Sequence, residues 1–330
     1  MVSNVWSRLA VASFIVVAAC SAPPGTNNGA ENAAAERPTK TTLKAQFQEA
    51  LDKAQATSGP GKPPVWTMRD EDTTIHLFGT VHLLRPELEW RSPAFEEAFA
   101  ASDTLVVEID MTSEEAQAAL LRDFVQRGMY QDGETLRAAL GPSEEAVVEA
   151  AFESIGVPLN AMNTFEPWLA AVNLSNMKLQ ADGYDPASGV ESVLQEEARR
   201  DGKAMGYLEE ISDQADAFDG MSVPTQIDFL YETAILLDEG PRMLDQLVAE
   251  WADGDVAGIG VMVASPEGVG YSREAYDALL VNRNARWVPQ IEAMLEEPGT
   301  VFIAVGAGHL AGPDSVIEML RMQGYNVSGP

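Results

Sequence analysis

Two short apolar runs, one near each end of the chain, are each followed by a glycine, two further residues and a histidine. The first run is IHLF before GTVH at 79–82, and the second is VFIAV before GAGH at 306–309. Both runs are typical of buried β-strands, and glycine lets the backbone turn sharply or approach a ligand closely. The pattern therefore places His82 and His309 at the carboxyl ends of two strands, where ligands bind in open α/β sheets.

The rest of the apolar pattern predicts a few strands near both ends of the chain and helices between them. A hairpin is expected at 64–78, buried strands at 104–109 and 300–305, and a short strand at 204–208. Residues 136–251 have helical spacing divided by Gly and Pro breakers. The predicted fold class is therefore α/β (mixed α+β), with a central mixed sheet that carries both motifs and a large helical insertion. Further helices are predicted at 43–56, 92–101, 113–126, 272–297 and 313–323, and a last strand at 325–327.

Composition indicates a globular protein with a strongly acidic surface. Of 330 residues, 46% are hydrophobic and 22% are charged, as in ordinary globular proteins. Acidic residues number 51 and basic residues 21, which gives a net charge of −30. Because this charge repels phosphate backbones and anionic headgroups, we expect no nucleic-acid partner and no membrane contact except through a covalent anchor.

The N-terminus has the pattern of a targeting segment. The apolar run at 9–19 is too short to span a membrane and suits the apolar region of a signal peptide. It ends in Ala-Ala directly before Cys20, the only cysteine, which resembles a bacterial lipoprotein signal. We expect removal of residues 1–19 and lipidation of Cys20; a plain signal peptide with an incidental cysteine is the alternative.

This anchor would also set the domain organisation and the location. Residues 20–63 are expected to form a tether with one short helix, and residues 64–330 the folded domain. Two or more acyl chains anchor a protein stably, so we expect a lipid-anchored protein of the cell envelope, on the periplasmic side. Ser21, which is not an aspartate, favours the outer membrane if the host resembles enteric bacteria.

Acidic side chains accompany two further predicted strands. In TLVVEID, Glu108 and Asp110 share one face by the two-residue alternation of a strand. Glu108 interrupts an apolar run, and burying a carboxylate is costly unless it is paired or binds a metal. The short strand AMGYL leads to Glu209 and Glu210, between which the pattern does not decide. Strand-end histidines with these carboxylates predict a metal site that activates water or polarises a carbonyl.

Each candidate also has a purely structural interpretation. A lone His82 or His309 is more often a hydrogen-bonded structural histidine, and Glu108 would then form a buried ion pair with an arginine. His76 lies inside a strand, where histidines are usually structural. Arg283 is either a surface cation of a helix or a buried partner of the carboxylates. Two of only three histidines occur in one motif, which favours the functional interpretation.

Seven segments spread over 75–327 form a recognisable combination in a fixed order. They are IHLFGTVHLL with Trp90 after it, DTLVVEID, EPWLA at 166–170, GVESVLQEEARRDGKAMGYLEEISDQ at 189–214, EWADGD at 250–255, LLVNRNARWVPQIEAML at 279–295 and VFIAVGAGHLAGPDSVIEMLRMQGYNV at 301–327. This combination resembles the TraB/GumN family, which also contains the Tiki proteases of animals. The resemblance implies a fold shared with erythromycin-esterase-like and haem-binding ChaN-like proteins.

The resemblance also implies roles for individual residues. Carried over by position, His82, His309 and Glu108 are the implied metal ligands. Glu108, Glu209 and Arg283 are the implied catalytic residues, with a glutamate as general base and the arginine orienting a carboxylate or stabilising an oxyanion. Imidazole and carboxylate ligands suit Mn, Co or Zn, and the identity of the metal is left open.

The sequence departs from the usual family pattern in two places. GYLEE replaces the commoner GLET, and Glu191 stands where an aspartate is usual after Gly189. Neither change removes an implied ligand, but because of both changes the family pattern does not define the substrate pocket.

The expected function is a divalent-metal-dependent hydrolase, a peptidase, tethered to the cell envelope. Its expected partner is a peptide or small-molecule substrate, and the oligomeric state is left open. The alternative is a non-enzymatic envelope lipoprotein that binds a peptide or haem, because a shared fold does not guarantee shared chemistry. A polysaccharide-export accessory, suggested only by the family name, is a third interpretation.

Overall fold

One mixed sheet organises the computed structural model, which describes residues 37–85, 88–110, 112–131, 133–263 and 272–330. The predicted signal peptide and Cys20 lie outside the described residues. Six strands occur within the described ranges, in the spatial order β4-β3-β5-β2-β1-β6. They are β1 (Val65–Arg69), β2 (Thr73–Thr80), β3 (Thr104–Val107), β4 (Ala204–Tyr207), β5 (Gly299–Gly306) and β6 (Val327–Ser328).

Four neighbouring strands of this sheet run parallel. β3 pairs in parallel with both β4 and β5, and β5 pairs in parallel with β2. β1 pairs antiparallel with β2 and with β6 at the other edge. The carboxyl ends of β2, β3, β4 and β5 therefore lie side by side at one end of the strands. Ligands bind at this end in open α/β sheets.

Helices surround the sheet and fill the middle of the chain. None of the helices in the described part of the chain combines the length and the apolar character needed to cross a membrane. The α-helices of the described residues are α1 (Lys40–Ala54), α2 (Pro93–Ala101), α3 (Glu114–Arg127), α4 (Leu136–Ala139), α5 (Pro142–Ser154), α6 (Pro167–Ala181), α7 (Val190–Arg200), α8 (Ile211–Asp219), α9 (Val223–Ile235), α10 (Gly240–Asp253), α11 (Val256–Val263), α12 (Arg273–Tyr276), α13 (Asn282–Ala293) and α14 (Val316–Met322).

Both faces of the sheet are buried. On β5, Phe302 and Ala304 pack on one face against α2, α7, α10 and α11, whereas Ile303 and Val305 pack on the other against α13 and α14. Because parallel strands are covered on both faces, nearly every residue of such a strand is apolar. This explains the continuous apolar run in the sequence of β5. A separate helical core, built around Phe124 and Trp168, lies within the insertion.

The structure confirms the predicted fold class and most predicted elements. Ser92 caps α2 by accepting from the backbone N–H of Phe95, as its sequence position indicates. The stretch predicted as one helix or two runs from α12 through a π-helical turn, Asp277–Val281, into α13. β3 ends at Val107, two residues earlier than predicted, which leaves Glu108 just beyond the strand.

The helix expected within the tether, α1, packs against the rest of the protein. Its residues Leu43, Phe47 and Leu51 are buried in a small core with α9, α10 and α11. The predicted division of the chain into signal peptide, tether and domain stays a prediction.

Candidate active site

Four parallel strand ends each supply one predicted site residue. His82 follows β2 by two residues, Glu108 directly follows β3, Glu209 follows β4 by two residues and His309 follows β5 by three. Arg283, from α13, reaches into the middle of this group and contacts Glu108, Glu209 and His309. The structure therefore brings all five predicted residues of the folded domain together at the carboxyl ends of the parallel strands.

The two GxxH turns pack directly on each other. A Cβ at Gly79 would lie 3.0 Å from Cα of Ala307, so the close approach of the turns requires glycine there. The indole Nε1 of Trp251 donates to the carbonyl oxygen of Gly79 at 2.7 Å. This bond ties the first turn to α10.

Gly306 borders a small space between the candidate ligands. A Cβ at this position would lie 3.2 Å from Nε2 of His82, 3.3 Å from Oε1 of Glu108 and 3.5 Å from Cδ2 of His309. Glycine keeps this space open for a group that imidazole and carboxylate would both contact.

Glu108 is a buried carboxylate surrounded by donors. Its Oε1 accepts from the backbone N–H of Gly306 at 2.8 Å, and its Oε2 accepts from Arg283 at 2.6 Å and from Gln214 at 3.3 Å. Burial by itself raises the pKa of Glu108, but the Arg283 guanidinium, His309, His82 and the Gly306 N–H together hold the pKa well below its usual range. Glu108 is therefore ionised.

Both carboxylate oxygens of Glu209 bind Arg283. Its side chain is 1% exposed, and Arg283 binds it in a two-pronged contact, from Nε to Oε1 at 2.7 Å and from Nη2 to Oε2 at 2.8 Å. Trp287 donates to Oε1 at 3.1 Å and Gln214 to Oε2 at 2.8 Å. This geometry favours a positioning role for Glu209, because its oxygens already accept from three side chains.

Burial acts to lower the pKa of the Arg283 guanidinium, but Glu108 and Glu209 outweigh it and raise the pKa. Its Nη1 donates to the carbonyl oxygen of Leu279 at 3.3 Å, within the π-helical turn. π-Turns within helices are frequent at functional sites. The arginine is thus a fixed cation rather than a surface charge of the helix.

His309 is neutral, and its hydrogen bonds assign its tautomer. The amide nitrogen of Asn284 donates to the carbonyl oxygen of Asp314 at 2.8 Å, which directs the amide oxygen at Nδ1 of His309, 2.6 Å away. Nδ1 therefore carries the proton, and Nε2 accepts from Arg283 at 3.2 Å. Burial, together with the positive charge of Arg283, lowers the pKa of His309 to about 3.

His82 makes an ion pair with a residue of α7. Its Nδ1 lies 2.7 Å from Oε1 of Glu191, which also accepts from the hydroxyl of Thr80. Burial acts to lower the pKa of His82, but Glu191 outweighs it and raises the pKa to about 9. Oε2 of Glu191 is buried and has no hydrogen-bond partner among the described residues.

The donors present fit a divalent cation. His82, Glu108 and Glu191 offer ligand atoms that all lie within 4.8 Å of one another, and imidazole with carboxylate oxygen is a common ligand set. The orphaned Glu191 oxygen and the space beside Gly306 are two further signs of fit. Nε2 of His309 lies 3.9 Å from Glu108 Oε1 and faces Arg283, so His309 could join the set only by releasing that contact.

A cavity of about 150 Å³ opens beside these groups. Its polar lining residues are His82, Glu108, Glu191, Arg283 and His309, together with Thr80, Gln195 and Gln214. Glu209 does not line the cavity, since it lies behind Arg283.

Three residues considered from the sequence lie outside the site. His76 contacts the hydroxyl of Thr67 through Nδ1 at 3.0 Å, on the hairpin. Asp110 accepts from the start of α3 and pairs with Arg199 at 2.7 Å. Glu210 caps α8.

In the sequence, Glu191 stands out only as a departure from the family pattern. Gln214, Asn284 and Trp287, which contact Glu108, His309 and Glu209 from helices, have no predicted role. Glu191 had a weak signal, as the acidic residue in the first turn of a strongly amphipathic helix.

Comparison with known proteins identifies the family. Residues 64–329 match the sequence model of the TraB/PrgY/gumN family. The chain belongs to this family. The match confirms the resemblance indicated by the seven sequence segments.

Relatives in the TraB/PrgY/gumN family include bacterial and animal proteins. The chain is 22% identical to the uncharacterized protein YbaP of Escherichia coli, over 75% of this chain and 88% of YbaP. It is 21% identical to an uncharacterized protein of Treponema pallidum, over 78% of this chain and 79% of that protein. It is also 22% identical to human metalloprotease TIKI1, over 80% of this chain and 61% of TIKI1. No solved structure matches the chain significantly.

Proposed function

We propose that this chain is a divalent-metal-dependent hydrolase that cleaves peptide bonds. The observation that carries the proposal is that Nε2 of His82 and Oε1 of Glu108 face one open space beside Gly306, within a group of possible ligands that also includes Glu191. The similarity to a protein named metalloprotease TIKI1 supports peptide substrates.

His82, through Nε2, and Glu108 would hold the cation, with His309 as a third ligand once its Nε2 releases Arg283. A bound divalent cation polarises a carbonyl oxygen and lowers the pKa of water. Mn, Co and Zn all suit this donor set. The carboxylate of Glu191 also orients the His82 ring through Nδ1, as carboxylates commonly do for metal-binding histidines.

The carboxylates divide two further tasks. Both oxygens of Glu108 accept hydrogen bonds, and Arg283 holds its pKa low, so Glu108 is a poor proton acceptor. Glu191 keeps one oxygen without a partner and lines the cavity, which makes it the better general base. Glu209 fixes the guanidinium of Arg283, whose positive charge at the edge of the cavity would stabilise negative charge that develops on the substrate.

Haem, the alternative ligand, has no comparable support in the site. The cavity of about 150 Å³ is smaller than the roughly 300–1,000 Å³ typical of pockets for drug-sized ligands. An unchanged visible spectrum on titration with haem is therefore expected.

Metal content tests the proposed function directly. The full chain, reconstituted with Mn, Co or Zn, is expected to retain about one metal ion per molecule by mass spectrometry. His82→Ala should lose both the metal and peptide hydrolysis. His76→Ala is the matched control, because His76 lies on the hairpin outside the site. Hydrolysis retained by His82→Ala, or no metal in the reconstituted protein, would contradict the proposal.

We also propose that the chain is tethered to the cell envelope through Cys20. The support is the apolar run that ends in Ala-Ala before this single cysteine. Cells fed a labelled fatty acid should transfer label to the protein, and Cys20→Ser should remain unlabelled. Label on Cys20→Ser would place the lipid elsewhere and refute the anchor.

A further inference from the structure

We propose that the cavity is a subsite for an apolar side chain of leucine or phenylalanine size, next to the bond that is cleaved. The inference rests on the proposed function and adds the class of substrate. It predicts that the enzyme cuts peptides beside large apolar residues and rejects acidic residues at that position.

The lining of the cavity combines charged and apolar side chains. Besides the carboxylates and imidazoles, it includes large aliphatic and aromatic side chains, which are Ile109, Phe218, Leu247, Val263, Leu279 and Leu280. A ligand that fills the cavity must therefore offer both polar and apolar groups.

The size of the cavity selects the ligand group. Its volume of about 150 Å³ equals that of an engineered protein cavity lined by Leu, Ile and Phe that stays dry and binds benzene (about 150 Å³). A phenyl ring or a leucyl side chain is of this size. A methyl group would leave most of the apolar lining uncovered. Each Å² of apolar surface that stays uncovered gives up about 25 cal/mol of binding free energy.

The charges exclude an acidic side chain. Arg283 is the only basic side chain other than histidine among the described residues that line the cavity. Its guanidinium nitrogens already donate to Glu108, Glu209 and His309, so Arg283 has no free N–H group for a third carboxylate. Glu191, which also lines the cavity, repels anions, and the net charge of −30 acts in the same direction.

The π-helical turn sets the position of part of the apolar lining relative to Arg283. Leu279 and Leu280 both lie in Asp277–Val281 and both line the cavity, and the turn leads directly into α13. Leu279 also accepts from Arg283 through its carbonyl oxygen. The same short segment therefore sets both the apolar surface and the guanidinium.

Binding without turnover is the first arm of the test. The metal-free full chain, with labelled Leu and Val methyl groups, is titrated by NMR with N-acetyl-leucinamide, N-acetyl-alaninamide and N-acetyl-glutamate. The leucine derivative should shift the methyl signals of Leu280 and Val263 and bind at least tenfold more tightly than the alanine derivative. The glutamate derivative should not bind.

Cleavage of a peptide library by the metal-loaded chain is the second arm. Cleavage sites mapped by mass spectrometry should favour Leu, Met and Phe over Ala at one flanking position by about tenfold or more. Leu280→Phe should shift this preference toward Ala, and Leu280→Ala should shift it toward larger side chains. Leu295→Phe is the control, since Leu295 is half-buried in another core and does not line the cavity.

The two arms separate failure of this inference from failure of the proposed function. Apolar binding that follows the Leu280 variants without any hydrolysis would keep the subsite and refute the hydrolase. Hydrolysis without preference for apolar residues would keep the hydrolase and overturn the subsite. Equal binding of the three derivatives would also overturn it.

Discussion

Replacement of Gly306 by alanine tests whether a cation binds between His82 and Glu108. Gly306 has φ −50° and ψ 135°, which alanine adopts without strain. Its backbone N–H can still donate to Glu108. The effect of the substitution is therefore confined to the added methyl group.

The geometry gives the size of the effect. The methyl carbon would lie 3.2 Å from Nε2 of His82 and 3.3 Å from Oε1 of Glu108. A divalent metal such as Zn²⁺ sits about 2.0–2.2 Å from such atoms, so the methyl group occupies the space that the cation needs. Neither side chain can easily withdraw, because Glu191 holds His82 and Arg283 holds Glu108. We expect metal affinity to fall at least 100-fold, or about 2.7 kcal/mol.

Calorimetric titration of the metal-free chain with Mn²⁺ or Zn²⁺ measures this change. Gly260→Ala is the matched control, because a Cβ there lies 3.5 Å from its nearest neighbour, an ordinary contact. The control should bind metal like the wild type and be stabilised by up to about 1 kcal/mol, since Gly260 lies inside α11. Wild-type affinity in Gly306→Ala would refute the proposed position of the cation.

Three further substitutions have defined expected outcomes. Arg283→Met leaves Glu108 and Glu209 buried without their counter-charge and should destabilise the protein by about 3–5 kcal/mol in urea unfolding; a loss below about 1 kcal/mol would contradict the ion-pair geometry. Glu191→Gln should weaken metal binding about 10–100-fold with little change in melting temperature, and unchanged affinity would remove Glu191 from the metal site. Burial, with the nearby charge of Asp228, raises the pKa of Glu232 well above its ordinary value. The folded state then holds a proton that the unfolded state has released, so stability falls as pH rises above the unfolded pKa, by at most about 1.4 kcal/mol per pH unit. Glu232→Gln should therefore gain stability over the wild type as pH rises from about 4 to 8, and a gain independent of pH would refute this reasoning.

The sequence was sufficient for the parts of the site that depend on local pattern. A strand, a glycine and a histidine in fixed spacing place His82 and His309 at strand ends whatever the rest of the chain does. Glu108 could be found because a carboxylate inside an apolar run must be paired or bind a metal. The same local rules predicted the hairpin and the cap of α2.

Choices between neighbouring residues could not be made from the sequence. Glu209 and Glu210 are adjacent, but one meets Arg283 and the other caps α8. Asp110 shares the alternation of Glu108, yet β3 ends at Val107 and the chain turns toward α3. These outcomes depend on where a strand ends and on which helix packs beside that end. Both are set by tertiary structure.

Residues that reach the site from distant helices carry almost no local signal. Asn284 sets the tautomer of His309, and Glu191 pairs with His82, but each lies on an amphipathic helix among many polar positions. Only the packing of α7 and α13 on the sheet brings them there.

The charges of the buried cluster give an independent reason to expect a cation. Glu108, Glu191 and Glu209 are three buried carboxylates, and Arg283 is the only buried guanidinium that contacts them within the described residues. Removing unbalanced charge from water is costly. The protonated His82 offsets part of the excess, but a histidine binds metal only as the neutral imidazole. A divalent cation held by neutral His82 would balance the two carboxylate charges that Arg283 leaves over. The cluster would thus reach neutrality with one divalent ion bound and His82 neutral, which supports the proposed metal site.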